Sequence, residues 1–223
     1  MSLAFVATTH RGDSHLAYRL LWQLNTYHPR AEKIFITDGK LQDWQTRALE
    51  GMCDTLIHGE ALGQNTARPT AWLERMLRLA LEHTSAEIIV KLDPDAYLFR
   101  AIRSYPGADL FGTLYADGTV TGGVYGFRRD TARRVLESGL LERVDFQLLQ
   151  PQSPLPVNEE RQFSHAVQAL EMTTAIWSEV CARARPVYSA REVELMLLKL
   201  EANKQDLRVP AVLHPIKDFG RPP

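Results

Sequence analysis

The sequence predicts an α/β protein with a Rossmann-like, mostly parallel sheet and helices on both faces. Three observations support this. Short apolar runs alternate with helix-period stretches through the first two-thirds of the chain. Their order is strand, helix, strand, strand, helix, strand, the signature of a parallel sheet covered on both sides. The 223 residues, 45% hydrophobic and 24% charged, fit one globular domain. A domain of this size hides roughly 70–75% of its unfolded surface, so no metal or disulfide staple is needed to fold it.

The first strand is Ala4–Thr8, which exits into the polar string Thr9 to Asp13. A helix follows from about Ser14, with Leu16, Leu20, Leu21 and Leu24 on one face and Pro29 beyond its end. Lys33–Thr37 is the second strand, closed by Asp38-Gly39, and Thr55–Ile57 the third, before a loop with Gly59 and Gly63. Pro69-Thr70 opens a helix over Ala71–His83, with Leu73, Met76, Leu77 and Ala80 along its buried stripe. Glu87–Leu92 is the next strand and ends in Asp93-Pro94-Asp95.

Residues 4–107 thus form one half of a single domain, and 108–216 a second half of mixed or antiparallel character. Ala108–Leu114 and Val120–Phe127 are expected as two strands joined by a turn at Asp117-Gly118. A helix is expected over Thr131–Leu140, then a proline-rich connection over Gln150–Pro156. Helices are expected over Glu159–Arg183 and Arg191–Ala202, a last strand over Val209–Leu213, and a polar tail over 217–223.

Twenty-six basic and 27 acidic residues leave a net charge of −1. That balance excludes a large polyanion-binding surface, hence a nucleic-acid partner, but permits a small basic pocket. Cys53 and Cys181 are expected as two buried free thiols. No segment approaches the roughly 20 apolar residues that span a bilayer, and no leader is visible, so a cytoplasmic protein is expected. An exposed Trp44, Trp72 or Trp177 would mark an interface, a homo-oligomer among the options.

The strongest chemical feature is Asp93-Pro94-Asp95, two carboxylates around one rigid residue at the carboxyl end of a central strand. Ligands of open α/β sheets bind at that edge. Two like charges so close call for a divalent cation, and oxygen ligands favour Mn²⁺ or Mg²⁺. His214, leaving the last strand, can complete a metal sphere begun by Asp95, and Lys217 can meet a phosphate. The glycines of Thr121–Phe127 mark either a bulge, a close approach by a ligand, or a strand packed tightly on a helix. Thr8, Thr9, His10, Arg11 and Asp38 share the same sheet edge, and with Arg68 they suit a nucleotide and its diphosphate.

In order, AFVATTHR, KIFITDG, EIIVKLDPDAYLF, the DLFGTL and TGGVYGFRR pair and VLHPIKDF resemble the GT-A family of nucleotide-sugar-dependent glycosyltransferases. The resemblance implies a single GT-A-like domain that moves a sugar from a nucleoside-diphosphate donor, a UDP-sugar favoured, to a hydroxyl acceptor. By it Asp93 would face the donor ribose or sugar, and Asp95 and His214 would bind the metal. Lys217 would lie near the diphosphate, with Arg68 on the phosphate side. Thr8, Arg11 and Asp38 would line the nucleoside pocket, and Gly122 and Gly123 would border the acceptor. Glu192 is the best match to the family's base, although Arg191-Glu192 departs from the usual acidic pair. Glu159 and Glu160 compete with it.

A sugar-nucleotide pyrophosphorylase is disfavoured, because Thr8–Ser14 holds a single glycine, Gly12. A dehalogenase-type phosphatase carries its acidic pair after the first strand, not at position 93 before Ala96-Tyr97. The other alternative is a non-catalytic GT-A-like module that binds a sugar nucleotide or a protein, since the chain is short for the family.

Overall fold

A computed structural model describes residues 2–59, 69–143, 159–183, 195, 198–199, 201–206 and 210–215. Seven strands form the main sheet: β1 (Leu3–Thr9), β2 (Glu32–Thr37), β3 (Thr55–Ile57), β4 (Ile88–Leu92), β6 (Leu110–Leu114), β7 (Val120–Arg128) and β8 (Thr174–Ile176). Their order is β3-β2-β1-β4-β7-β6-β8. All neighbours are parallel except β4–β7 and β7–β6. A three-stranded sheet joins β5 (Tyr97–Leu98), β10 (Val212–Pro215) and β9 (Val180–Arg183) in the order β5-β10-β9.

Alternation along each strand splits the core in two. On one face α1 (Ser14–Tyr27) and α2 (Asp43–Glu50) lay Leu20, Leu21, Leu24 and Leu49 against Phe5, Phe35, Val90 and Leu92. Leu98, Val180 and Val212 of the small sheet close this core. The opposite face is covered by α3 (Pro69–His83), α4 (Arg129–Ser138), the short α5 (Leu140–Arg143) and α6 (Glu159–Ala169). There Leu73, Leu77, Val135 and Phe163 pack on Val6, Ile34, Ile89 and Phe127. The α/β class with helices on both faces is therefore present. β1 leads outward to β2 and β3, and the chain returns on β1's other side as β4. The carboxyl ends of β1 and β4 thus flank a switch point, where such sheets bind ligands.

Several elements depart from expectation. The segment 159–183 is not one helix: α6 stops at Ala169, Glu171 takes a positive φ of 54°, and β8 and β9 follow. Thr173 explains the switch, since its N–H and Oγ1 both donate to Asp109 (2.8 and 2.7 Å), laying β8 beside β6. Helix α2 is new; a reciprocal Gln42–Gln45 capping box starts it, yet only Gln45 and Leu49 are buried, too few for a periodic signal. On α1 the buried stripe is Ser14, Ala17, Leu20, Leu21 and Leu24, with Leu16 half-buried. The last strand begins at Val212. Residues 195, 198, 199, 201 and 202 are helical, as expected over 191–202, whereas the 150–156 connection and the tail lie outside the described residues. Cys53 and Cys181 are free thiols, half-buried rather than buried. Of the tryptophans named above, Trp44 is 61% exposed, Trp72 is half-buried and Trp177 is buried.

His28 closes α1 against the sheet, its ring centroid 4.9 Å from that of Phe5. Its Nε2 accepts the Ile102 N–H at 3.0 Å, which requires an unprotonated nitrogen. Burial, with a contribution from Lys33, lowers this imidazole from 6.5 to about 4. The unfolded chain therefore takes up a proton that the folded one refuses, so this contribution is full above pH 6.5 and drains as pH falls towards 4. Between pH 7 and 4.5, urea unfolding is expected to show wild type losing about 2–3 kcal/mol more than His28→Gln, which accepts the same bond without titrating. Equal losses would contradict this role.

Candidate functional site

Asp93-Pro94-Asp95-Ala96 is a β-turn closed by the Ala96 N–H donating to the Asp93 carbonyl at 3.0 Å, with proline at its favoured second position. The Asp93 N–H donates to the Gly123 carbonyl at 2.7 Å, extending the β4–β7 ladder by one rung. Beyond the turn β5 pairs antiparallel with β10, Tyr97 opposite Leu213, which delivers His214 to the acidic corner. Its Nε2 lies 3.0 Å from Asp95 Oδ1 and 3.3 Å from Asp93 Oδ2. One ligand atom from each of the three residues falls within 4.8 Å of the others. Arg19 of α1 clamps the turn, with Nη2 donating to the carbonyls of Pro94 (3.2 Å) and Ala96 (3.0 Å) and its guanidinium 3.5 Å from the Tyr97 ring centre.

Charge is balanced closely here. Lys91, two residues before Asp93 and so on the same strand face, is buried and its Nζ lies 2.5 Å from Asp93 Oδ1. Burial opposes ionisation of Asp93, but the Lys91 charge and the His214 hydrogen bond and charge outweigh it, holding the carboxyl well below the usual range. Burial alone would depress His214, yet the hydrogen bonds and charges of Asp93 and Asp95 raise it to about 9. At neutral pH two carboxylates therefore face one imidazolium and one ammonium. A divalent cation fits the same donor set: two carboxylates and an imidazole, the ligand types suited to Mn²⁺ or Mg²⁺ with nitrogen support. Exchanging the His214 proton for M²⁺ would turn the neutral group net positive, ready for a polyanionic ligand.

The glycine pair sits in a bulge. Between Val120 and Tyr125 strand β7 advances five residues while β6 advances from Gly112 to Leu114. Gly123 takes φ +88°, and a Cβ there would strike the His214 ring. A Cβ on Gly122 would strike the Glu160 carboxylate. The pair thus makes room for an imidazole beside one glycine and a buried carboxylate beside the other. Glu160 is positioned by α6, whose Ser164 Oγ donates to the Glu160 carbonyl (2.8 Å) and accepts the Val120 N–H (2.9 Å).

Thr8 and Asp38 meet at the same edge and line a cleft with Trp72 and Arg75, and the Asp38 N–H donates to the Thr9 carbonyl at 2.7 Å. Arg11 lines a different groove, with Trp44 and Arg47. Arg68, Glu192 and Lys217 lie outside the described residues, and Glu159 opens α6. Two residues at the site were not anticipated. Lys91 had a signal, a lone cation inside an apolar strand two places before an aspartate. Arg19 had none, because its partners are 75 and 77 positions away.

No protein-family profile and no curated protein sequence matches the chain. Solved structures do. The glycosyltransferase GlyE of Streptococcus pneumoniae TIGR4 aligns with TM-score 0.55 and 12% identity over 98% of this chain and 55% of that one. Its apo form aligns with TM-score 0.56 and 10% identity over 99% and 57%. This chain therefore shares the fold of a glycosyltransferase and spans little more than half the length of these neighbours. Among the described residues no helix is long and apolar enough to cross a membrane.

Gly123→Ala is expected to cost about 2–4 kcal/mol in urea unfolding and to abolish Mn²⁺ binding, because it combines left-handed strain with displacement of His214. Gly107→Ala, with nothing near its Cβ, is expected to change neither quantity. A silent Gly123→Ala would contradict the bulge's role. Mn²⁺ held by this donor set would compete with the His214 proton for one nitrogen, so below pH 9 its affinity should rise as protons become scarcer. Calorimetry from pH 6.5 to 8.5 is expected to show a gain approaching tenfold per pH unit. A flat profile would exclude His214 as ligand.

Proposed function

We propose that the chain is a GT-A-type glycosyltransferase that moves a sugar from a nucleoside-diphosphate donor, a UDP-sugar favoured, to a hydroxyl acceptor, using Mn²⁺ or Mg²⁺. The observation that carries this reading is the convergence of Asp93, Asp95 and His214, the last two 119 positions apart, at the switch point of the sheet. The shared fold with GlyE supports it.

In this reading Asp95 and His214 hold the ion, and Asp93, fixed by Lys91, faces the donor's ribose or sugar. Bound there, the ion would supply positive charge to the diphosphate as it leaves. Thr8 and Asp38 receive the nucleoside, Arg75 stands beside them, and Arg68 and Lys217 serve the phosphates. The bond from the anomeric carbon to the diphosphate oxygen breaks, a bond to the acceptor oxygen forms, and the acceptor's proton passes to a base. Of the carboxylates considered for that step, Glu160 is favoured over Glu192 and Glu159, because its carboxylate packs on Gly122 beside the glycine that seats His214. Gly122 and Gly123 then border the acceptor.

Thermal unfolding against UDP-, GDP- and dTDP-sugars, with and without Mn²⁺, tests the donor, since binding raises apparent stability by mass action. A UDP-sugar is expected to stabilise only with Mn²⁺, and Asp95→Asn to remove that effect. Glu160→Gln is expected to keep donor binding and lose about 10²–10⁴-fold in turnover. No stabilisation by any donor would overturn the reading. Donor binding without transfer or hydrolysis would favour the non-catalytic module, an outcome the chain's half-length match to its neighbours keeps in view.

A further inference from the structure

On the α1–α2 side of the sheet, beyond the ends of β1 and β2, a groove of about 550 Å³ is lined by Arg11, Lys40, Trp44 and Arg47. Its size falls in the range of ligand pockets. All three cations are exposed, and none forms an ion pair among the described residues. The acidic residue in the wall, Asp43, occupies the first turn of α2, where a helix amino terminus favours its charge. In a chain of net charge −1, this is a local concentration of positive charge.

The walls are held in place. Buried Gln45 donates to the Arg11 carbonyl (3.0 Å) and to Ser14 Oγ (2.6 Å), tying the β1–α1 loop to α2. Trp44 is 61% exposed, yet its Nε1 is fixed by donation to Gln42 Oε1 at 2.6 Å. The indole's polar edge is thus satisfied, and what it offers a ligand is an open, electron-rich face. That face suits the polarised C–H groups of a pyranose ring, and the guanidinium and ammonium groups suit carboxylate or phosphate substituents.

We propose that this groove is a second saccharide site, separate from the reaction centre, and that its occupant is an anionic saccharide. The proposal rests on the glycosyltransferase reading. The donor's charge is already provided for at Asp93, Asp95 and His214, and its nucleoside at Thr8 and Asp38 on the α3 side. The cations of the groove therefore await a second anion. A single-stranded nucleic acid is the poorer fit, because one exposed indole and three cations cannot track a phosphate backbone.

Titration of intrinsic tryptophan fluorescence with tetragalacturonate and with maltotetraose, donor and metal absent, tests the groove alone. Tetragalacturonate is expected to bind at least tenfold more tightly than the neutral tetramer, and to weaken several-fold from 50 to 300 mM salt, roughly as screening of an exposed site requires. Trp44→Ala, and separately Lys40→Gln with Arg47→Gln, are expected to weaken it at least tenfold, while UDP with Mn²⁺ binds these variants within twofold of wild type. Equal binding of the two tetramers, no binding of either, competition by UDP, or tighter binding of oligouridylate would each overturn the site. A failure here with UDP–Mn²⁺ binding intact leaves the donor reading standing, whereas loss of UDP–Mn²⁺ binding by wild type would sink that reading instead.

Discussion

An imidazole held between two carboxylates is the interaction around which this molecule is arranged. His214 reaches Asp93 and Asp95 only because three separate pieces of backbone converge. β4 ends in a proline turn, β5 pairs with β10, and β7 bulges at a glycine in a left-handed conformation. Each piece serves the same corner. Lys91 beneath and Arg19 beside it settle which way the carboxylates and the turn carbonyls face. Removing Lys91 would leave His214 to offset Asp93 alone, and removing Arg19 would strip the Pro94 and Ala96 carbonyls of its hydrogen bonds.

That corner also explains the division of the chain. The parallel strands β3-β2-β1-β4 set a carboxyl edge with Thr8, Asp38 and the acidic turn on it. The antiparallel β6–β7 pair, α6 and the small sheet bring the glycine pair, Glu160 and His214 against that edge. The two halves thus meet where the two glycines remove the side chains that would have kept them apart.

Much of this was legible in the sequence because it is local. An apolar strand ending in Asp-Pro-Asp, glycines crowded into a strand, and a histidine locked before proline are visible without coordinates. So were most strands and, in the first half, helices α1 and α3. What stayed hidden depends on distant partners. Arg19 is an ordinary helix residue until Pro94 and Ala96 meet it, and Thr173 selects strand over helix through Asp109, 64 positions away. Helix α2 buries too little to announce itself, and its capping box is made of glutamines rather than the usual Ser or Thr. The separation of Arg11 from Thr8 and Asp38 is equally non-local, because α2 draws the Arg11 loop to its own side of the sheet.

Pulsed EPR of the Mn²⁺-loaded protein measures the central interaction directly. Nitrogen modulation from one imidazole in wild type, absent in His214→Ala, is the expected result. Manganese bound without nitrogen coupling, or with coupling that survives in the variant, would contradict the account.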